Sequence, residues 1–508
     1  MVTVKASYIV KPAEPTPDKV MFLSDCDQIK PLTHAPTIYF YRPTTHKLLE
    51  EVVQILKDSL SKALVQFYPL AGRLNWTEGG RVELHCNSMG ALLLEAQSEL
   101  KIDDFGDFRP TPEIQALIPS VDYTTTPIHE VPLFLLQVTI FSCGGISLGL
   151  GMSHILIDGQ SAVHFVTEWA KIARGENSGD HPFLDRTILQ PKAEDHPPPT
   201  LKYTDFFRLP LLIGQTDNLE ERKKETTTIM LKVSKQQIDA IKNKANQDLH
   251  GKEQIEALKE KSSLDLHNKE PKETVKNEAD QDLLIKETID ETLKNKDNQD
   301  LHVKERIGIL KNSKQQGFSR FEAVTAHIWK CASMARMLKP EQETTLFITV
   351  DFRNRLKPPL PPRYFGNAVM PVPVSSTVGD LLAKPLSYAT SKIRQAIENV
   401  NDESVRSYLV CIKNIPNISN RRHFHTVGCS QGSFYGNPNM IITSWVGLPL
   451  CAAKFGWGDE VFLGPGSLGY DGRGFIIPSQ IEDGSFLIPL RLQVEHMSTF
   501  ERYFYEEI

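Results

Sequence analysis

The chain has 508 residues, more than one hydrophobic core usually organises, so we expect two domains. Hydrophobic residues make up 40% and charged residues 24% of the chain, proportions that are typical of a soluble globular protein. The net charge of −6 excludes nucleic acid as a bulk partner, because there is no basic excess to neutralise phosphates.

Cysteine usage and terminal sequence indicate an intracellular protein. The seven cysteines are widely spaced and form no C-x-x-C pair, so neither a disulfide framework nor a metal site is expected. The first residues carry no secretory signal, and no stretch approaches the roughly 20 apolar residues that span a bilayer. We therefore expect a cytoplasmic protein without a membrane partner.

The first third of the chain mixes strand and helix patterns. Residues 37–41 read as a strand, and apolar side chains from Leu48 to Phe67 recur at the 3, 4 spacing of a helix. Residues 133–141 and 146–152 read as buried strands around a Gly-Gly turn, which is a hairpin signal. This mixture predicts an α/β or α+β class.

The middle of the chain is organised differently. A Pro-rich stretch at about 180–215 predicts a linker between two halves. At about 246–316 an Asp-Leu-His or Asp-Leu-Leu unit followed by Lys-Glu recurs with a period of about 17 residues. The repeat is charged and poor in aromatics, so we interpret it as an insertion at a surface loop. Its histidines fit no zinc spacing.

A histidine follows the second strand of the hairpin. The segment 154–159 reads His-Ile-Leu-Ile-Asp-Gly, so His154 stands at the end of a buried strand beside a glycine turn. An imidazole titrates near neutrality, so His154 could serve as a general base in a cleft. The alternative is a core histidine with a structural hydrogen bond.

A serine nucleophile is the rival scheme, because the G-x-S-x-G string occurs around Ser147 and Ser430. A nucleophile elbow needs a strand, a sharp turn and a helix. Ser147 lies inside the predicted strand, and Gly436 and Pro438 follow Ser430 without a helical pattern. Both matches are therefore interpreted as chance.

Several segments, in this order, resemble the plant BAHD acyl-CoA-dependent acyltransferases. The principal ones are FYPLAGR at 67–73, His154-x-x-x-Asp158-Gly159 and FGWG at 455–458. Further matches are FEAVTAHIW at 321–329, YFGNA at 364–368 and TSW at 443–445. The similarity runs over nearly the whole chain except the insertion.

The resemblance implies an α/β fold of two similar chloramphenicol-acetyltransferase-like domains, with mixed sheets flanked by helices and an interdomain channel. The N-terminal domain would span 1–195 and carry His154. A crossover linker would occupy 196–225. The C-terminal domain would span 226–508 and contain the insertion at about 246–316.

The resemblance also implies roles for individual residues. His154 would be the general base, and Thr443 and Trp445 would donate hydrogen bonds to the oxyanion. Asp158 would be structural, paired with Arg353; the alternative is that it orients the imidazole as the aspartate of a triad does. The residues expected to bind acyl-CoA are Ser319, Arg320, Phe321, Glu322, Arg353, Asn354, Arg355 and Ser444.

Two positions depart from the patterns of the family. The residue before FGWG is normally an aspartate that braces a loop through an ion pair, and here it is Lys454. Ser430 stands thirteen residues before Thr443, where members that acylate shikimate or quinate carry an arginine for the acceptor carboxylate. A buried carboxylate without a cation costs several kcal/mol, which argues against an acidic acceptor.

Segments 11–17, 154–162, 434–439 and 504–508 resemble the spermidine hydroxycinnamoyltransferases. We therefore predict transfer of a hydroxycinnamoyl-type group from CoA to an amine such as spermidine, with Asp25 and Asp27 as candidate acids at the pocket mouth. The alternatives are an O-acyltransferase for a neutral or alkaloid alcohol, less so for shikimate or quinate, and a degenerate non-catalytic relative. A monomer is expected, with no cofactor, since acyl-CoA is a co-substrate.

Overall fold

The computed structural model describes residues 2–43, 49–191, 219–247, 317–419, 436–450, 453–481 and 483–508. The predicted linker at 196–225 is described only from residue 219 onward. Nearly all of the insertion, including its repeats, lies outside the described residues, and so does Ser430.

The strands are β1 (Val2–Val10), β2 (Lys19–Met21), β3 (His34–Pro43), β4 (Arg73–Trp76), β5 (Val82–Cys86), β6 (Ala91–Ser98), β7 (Phe134–Phe141), β8 (Ile146–Ser153), β9 (Thr226–Val233), β10 (Glu343–Asp351), β11 (Val369–Thr377), β12 (Met440–Ser444), β13 (Gly458–Pro465), β14 (Arg473–Pro478) and β15 (Phe486–Gln493).

The helices are α1 (Asp25–Gln28), α2 (Leu49–Gln66), α3 (Pro112–Gln115), α4 (Gly159–Ala173), α5 (Leu219–Lys223), α6 (Arg320–Ala335), α7 (Val378–Ala383), α8 (Leu386–Glu398), α9 (Asp402–Lys413) and α10 (Val494–Glu506). Residues 235–247 are helical as well. None of the described helices is long and apolar enough to span a bilayer.

Two six-stranded mixed sheets organise these elements. The first has the order β1-β6-β7-β8-β3-β13, and the second has the order β11-β10-β12-β14-β15-β9. The parallel pairs are β6–β7 in the first sheet and β10–β12 and β12–β14 in the second. Two similar sheet-rich units with flanking helices confirm the predicted α/β class. β2, β5 and β4 form a small third sheet.

Each large sheet has its own core. On α2 the buried side chains Leu56, Leu60 and Leu64 recur every four residues, and α2 packs against α4. Every residue of β8 is buried, which explains its continuous apolar sequence. In the second unit α6 packs against α10. The predicted helix at 48–67 and the predicted hairpin are confirmed as α2 and as β7–β8.

One strand links the two units. β13 comes from the C-terminal part of the chain and pairs antiparallel with β3 of the first sheet, with Leu463 opposite Tyr39. The Tyr41 hydroxyl donates a 2.8 Å hydrogen bond to the Ala453 carbonyl just before it. The N-terminal sheet therefore takes its last strand from the segment predicted to form the second domain.

The two ends of the insertion lie side by side. The backbone N–H of Phe318 donates a 2.9 Å hydrogen bond to the Asn246 side-chain oxygen. The chain thus leaves the C-terminal unit and returns to it at one point, which is the geometry that lets a loop vary in length at low entropic cost.

Candidate active site

His154 follows directly after β8, where the first sheet meets the second unit. Its backbone N–H donates to the Thr33 carbonyl at 2.9 Å, and its carbonyl accepts from the Asn367 amide at 3.0 Å. The side-chain Nδ1 is buried and has no hydrogen-bond partner among the described residues. The main chain of His154 is therefore fixed, while no carboxylate binds its ring nitrogen.

The electrostatic surroundings keep this imidazole neutral. Burial lowers the pKa of His154 to about 4, and the nearby cations Lys30 and Arg473 contribute to the decrease. Lys30 is itself buried and donates to the Val369 carbonyl at 3.2 Å. At neutral pH the ring is consequently an available proton acceptor.

Asp158 caps the helix that follows the histidine. Its Oδ1 accepts from the Ser161 N–H at 3.0 Å, and its Oδ2 accepts from the Ala368 N–H at 2.9 Å. Arg353 donates to the same two oxygens, at 2.9 Å to Oδ1 and 2.8 Å to Oδ2. Burial raises the pKa of Asp158, but the charge and hydrogen bonds of Arg353 outweigh it and hold the pKa below its usual value. The contacts with Arg353 and Ala368 tie the turn to the second unit, the contact with Ser161 caps α4, and none of them involves the imidazole.

Arg353, predicted to bind CoA, makes its polar contacts with other residues of the protein. Besides Asp158 it binds Asp351 at 2.5 Å and donates to the Ser161 hydroxyl and the Gly366 carbonyl, each at 3.2 Å. Arg355, predicted beside it as a CoA ligand, donates to the carbonyls of Ile397 and Val400. Asn354 between them is exposed. Both guanidinium groups are thus committed to backbone or carboxylate partners.

A second buried network supports the same turn, and the sequence did not indicate it. Asp27 accepts from the backbone N–H and the side-chain amide of Asn367, each at 2.9 Å, and pairs with Arg186 at 3.2 Å. Arg186 also donates to the Leu156 carbonyl at 2.9 Å. Arg186 lacked any sequence signal, whereas Asn367 lies in the recognised segment 364–368 without a role assigned to it. Asp27 is therefore fully occupied.

The other acid proposed for an amine site is also paired. Asp25 binds Arg81 at 3.1 Å, and the same arginine donates to the Ile412 and Lys413 carbonyls. Burial raises the pKa of Asp25 despite this partner. Neither of the two N-terminal acids is left with a free carboxylate for a substrate cation.

The predicted oxyanion donors lie on β12, on the face of the second sheet turned towards the first unit. Met440 and Ile442 belong to the core of the second unit, so the alternate residue Thr443 points to the opposite face. Trp445 just after the strand packs with the cluster that includes residues 155–157, and its ring meets Phe475 edge to face. Both side chains are partly exposed, as donors to a bound substrate must be.

A cavity of about 530 Å³ opens beside β12. Its walls are the loop after Trp445 and the β14–β15 hairpin; the lining residues are Arg320, Val446, Leu448, Pro449, Leu450, Leu463, Ile477, Pro478, Ser479, Gln480, Gly484, Ser485 and Phe486. Leu448 also lies against Gly159, at the start of the helix that follows His154. The volume suits a small ligand or part of a larger one.

Of the segment predicted to bind CoA at 319–322, Arg320 lines this cavity, where it pairs with Asp239 at 3.3 Å. Ser319 and Glu322 form a capping box at the start of α6, and Glu322 binds Arg394 at 2.9 Å. Phe321 packs on the core of the second unit. Ser444 accepts from the Val446 N–H at 3.2 Å. The structure thus brings Arg320 and Ser444 to the cavity region, and Arg353 and Arg355 to structural contacts.

Lys454 stands exposed before the buried pair Phe455 and Trp457, which stack at 4.9 Å. Its backbone carbonyl accepts a hydrogen bond from Arg174. Arg174 also binds both oxygens of Glu176, at 2.6 and 2.7 Å. The cation beside this loop therefore has a carboxylate partner from its own neighbourhood.

Ser147 does not form a nucleophile elbow. It lies within β8, and its buried hydroxyl has no hydrogen-bond partner in the described residues. The part of the chain that the structure describes also contains no group of three or more His, Cys, Asp or Glu that could hold a metal ion.

Comparisons with known proteins show what this chain resembles. Residues 1–507 match the family model described as Transferase family. The chain is 44% identical to hydroxycinnamoyl-CoA:piscidic acid hydroxycinnamoyltransferase of Actaea racemosa, over 100% of both chains. It is 36% identical to shikimate O-hydroxycinnamoyltransferase of Nicotiana tabacum, over 99% of both. It is 34% identical to a hydroxycinnamoyl-CoA:5-hydroxyanthranilate N-hydroxycinnamoyltransferase of Avena sativa, over 99% of this chain and 98% of the relative.

Two solved structures show the same fold. Vinorine synthase superposes with a TM-score of 0.65 at 20% identity, covering 98% of this chain and 96% of the other. F. graminearum TRI101 complexed with coenzyme A and T-2 mycotoxin superposes with a TM-score of 0.69 at 14% identity, covering 95% and 97%.

Proposed function

Because the chain belongs to the BAHD family of acyl-CoA-dependent acyltransferases, we propose that it transfers a hydroxycinnamoyl group from CoA to a small acceptor, with His154 as general base. The observation that carries this proposal is the state of His154. It is held by its main chain between the two units, its pKa is about 4, and its Nδ1 is unpartnered among the described residues.

The proposed reaction needs no covalent enzyme intermediate. The imidazole takes the proton from the acceptor hydroxyl or amine as that group attacks the thioester carbonyl. Thr443 and Trp445 donate hydrogen bonds to the oxyanion that forms. When the intermediate collapses, the C–S bond breaks and the proton passes from His154 to the CoA thiolate. Asp158 takes no part in the proton transfer, because its oxygens are occupied by Arg353 and two backbone N–H groups.

The charges around His154 bear on the chemical class of the acceptor. The predicted spermidine would bring several positive charges next to His154, whose pKa is already lowered by burial and, to a smaller extent, by the cations Lys30 and Arg473. Asp25 and Asp27, predicted to receive such charges, are paired with Arg81 and Arg186. The relatives named above use O- and N-acceptors alike. An amine acceptor therefore stays a prediction, and the charges around the base favour an acceptor that is not a polycation.

The test combines an acceptor panel with variants of the base. Purified protein is incubated with p-coumaroyl-CoA and spermidine, tyramine, shikimate, 5-hydroxyanthranilate or a tropane alcohol, and products are read by mass spectrometry. His154→Gln should lower turnover with a hydroxyl acceptor by about 10²–10⁴-fold. It should leave the thermal shift caused by CoA largely unchanged.

The matched control is His164→Gln. His164 is also a partly buried histidine, but its ring contacts Phe67 and its Nε2 donates to the Asp180 carbonyl at 2.9 Å. This variant should keep turnover. Near-normal turnover in His154→Gln with a hydroxyl acceptor would show that His154 is not the base.

A further inference from the structure

Arg473 is a cation on the face of the second sheet that is turned away from the core of the second unit, and no part of the proposed reaction uses it. It is the first residue of β14, where it pairs with Ile441 of β12, and Phe475 pairs with Thr443. Ile442 and Ile476 belong to the core of the second unit, so the alternate residues face away from that core. Arg473 therefore shares a face with the predicted oxyanion donor Thr443, about 7 Å away along the strands.

The guanidinium of Arg473 is positioned by aromatic rings. It lies 5.0 Å from the Phe475 ring centroid and 5.7 Å from that of Tyr470. Nη1 donates to the Tyr470 hydroxyl at 3.0 Å. Stacking and one hydrogen bond hold the planar fork in place and leave most of its five N–H donors for another partner.

No carboxylate of the described residues lies within ion-pair distance of Arg473. Three buried arginines of this fold have a carboxylate partner: Arg186 binds Asp27, Arg336 binds Asp471 and Arg353 binds Asp158. The buried Arg73 donates instead to the carbonyls of Gly72 and Gly90. Asp471 is nearest in sequence, but it is occupied by Arg336 and by backbone N–H groups of Asn437 and Gln493. A partly buried arginine whose remaining N–H donors have no carboxylate partner among the described residues is suited to binding an anion.

The guanidinium is also close to the base. Its charge is among the causes that lower the pKa of His154, after burial and Lys30. A carboxylate bound to Arg473 would thus stand near enough to His154 for another group of the same small molecule to reach the imidazole.

We infer that Arg473 binds a carboxylate of the acceptor and is a specificity-determining residue, so that the acceptor is a hydroxy acid or an amino acid rather than a polyamine or a neutral alcohol. This inference rests on the proposed acyl transfer. It reverses the sequence-based argument from Ser430, because the cation that is missing at that position is supplied by another strand. A carboxylate buried without a cation is costly, and Arg473 supplies that cation for the carboxylate of the acceptor.

The test compares kcat/KM for acceptors that carry a free carboxylate with kcat/KM for their methyl esters. Transfer from p-coumaroyl-CoA is followed with shikimate, with 5-hydroxyanthranilate and with the methyl ester of each. The wild-type protein should prefer the acids, chiefly through KM. Arg473→Gln, which keeps a polar side chain beside Phe475, should lower the acid-to-ester ratio of kcat/KM by roughly 10²-fold. Arg473→Lys should restore part of the ratio because it restores the charge.

The control is Arg491→Gln. Arg491 lies on the neighbouring strand β15 and binds the Thr226 hydroxyl at 2.7 Å, so its loss should leave the ratio unchanged. A wild-type protein that transfers as well to the esters as to the acids, or equal losses for acid and ester in Arg473→Gln, would overturn the inference.

A binding measurement separates this inference from the proposed function. Thermal stabilisation by shikimate or 5-hydroxyanthranilate without any donor should be present in the wild-type protein and absent in Arg473→Gln. If no acceptor is acylated but the acceptors stabilise only the wild-type protein, the proposed acyl transfer is wrong and the carboxylate site at Arg473 is supported. If acceptors are acylated but stabilise both proteins equally, only the carboxylate site at Arg473 is wrong.

Discussion

Replacing Asp158 by Asn should damage stability far more than catalysis. The aspartate is 2% exposed and its main partner Arg353 is 10% exposed, so the pair is desolvated. Removing one partner of such a pair typically costs about 3–5 kcal/mol. Because Arg353 keeps its contact with Asp351, we expect the lower end, about 3 kcal/mol. Asparagine still caps α4 through Ser161, so no further cap penalty is added.

The assay pairs urea unfolding, followed by intrinsic fluorescence, with turnover in the absence of urea. The kcat of the folded Asp158→Asn protein should stay within about tenfold of wild type, whereas loss of an imidazole-orienting aspartate costs about 10⁴-fold. The control is Asp351→Asn. It removes the other carboxylate from the same arginine, but Asp351 is 41% exposed, so we expect at most about 1 kcal/mol.

The pH dependence gives a second readout of the same pair. The pKa of Asp158 is lower in the folded protein than in the unfolded chain. Its stabilisation is therefore complete above the unfolded pKa of about 3.9 and is lost as the pH falls through the folded value. The stability difference between wild type and Asp158→Asn should be constant from pH 6 to 8. A variant with wild-type stability and a thousandfold loss of kcat would refute the structural role.

Two further predictions concern the base and the FGWG loop. Since the pKa of His154 is about 4, the kcat/KM of the wild-type protein should stay level down to about pH 5 and decrease at lower pH. Lys30→Met removes a nearby positive charge, so the pH at which kcat/KM decreases should be higher in this variant. A decrease in the wild-type protein near the ordinary histidine pKa of about 6.5 would contradict the lowered pKa. Lys454→Asp should raise the melting temperature only slightly and leave turnover unchanged, because the Lys454 side chain is exposed and Arg174 is already paired with Glu176. The control Lys454→Gln separates the effect of losing the lysine from that of gaining the acid. A large change in turnover would show that the loop acts on the active site.

The sequence predicted those parts of the fold that depend on local pattern. The apolar 3, 4 spacing before FYPLAGR gave α2, and the Gly-Gly turn between two apolar runs gave the β7–β8 hairpin. Both are determined by residues within one element or its immediate neighbour.

Contacts between distant residues were not accessible in the same way. Arg186 reaches Asp27, and Arg473 reaches the surroundings of His154, across separations of more than 150 residues with no local pattern to mark them. The pairing of Asp158 with Arg353 was expected only through the family resemblance. One signal was present for Arg473: it is the single charged residue at the head of the apolar run Arg473–Pro478. A charge entering an otherwise buried strand needs a partner or a ligand.

The origin of β13 has a consequence for biosynthesis. As the chain emerges from the ribosome, β3 is available early, but its partner at Gly458–Pro465 follows roughly 300 residues after α4. At 5–20 residues per second that interval is about 15–60 s, during which the nascent N-terminal sheet exposes an open edge. We therefore expect this edge to need protection during synthesis, and we expect a fragment ending before residue 458 to aggregate unless the missing strand is supplied in trans.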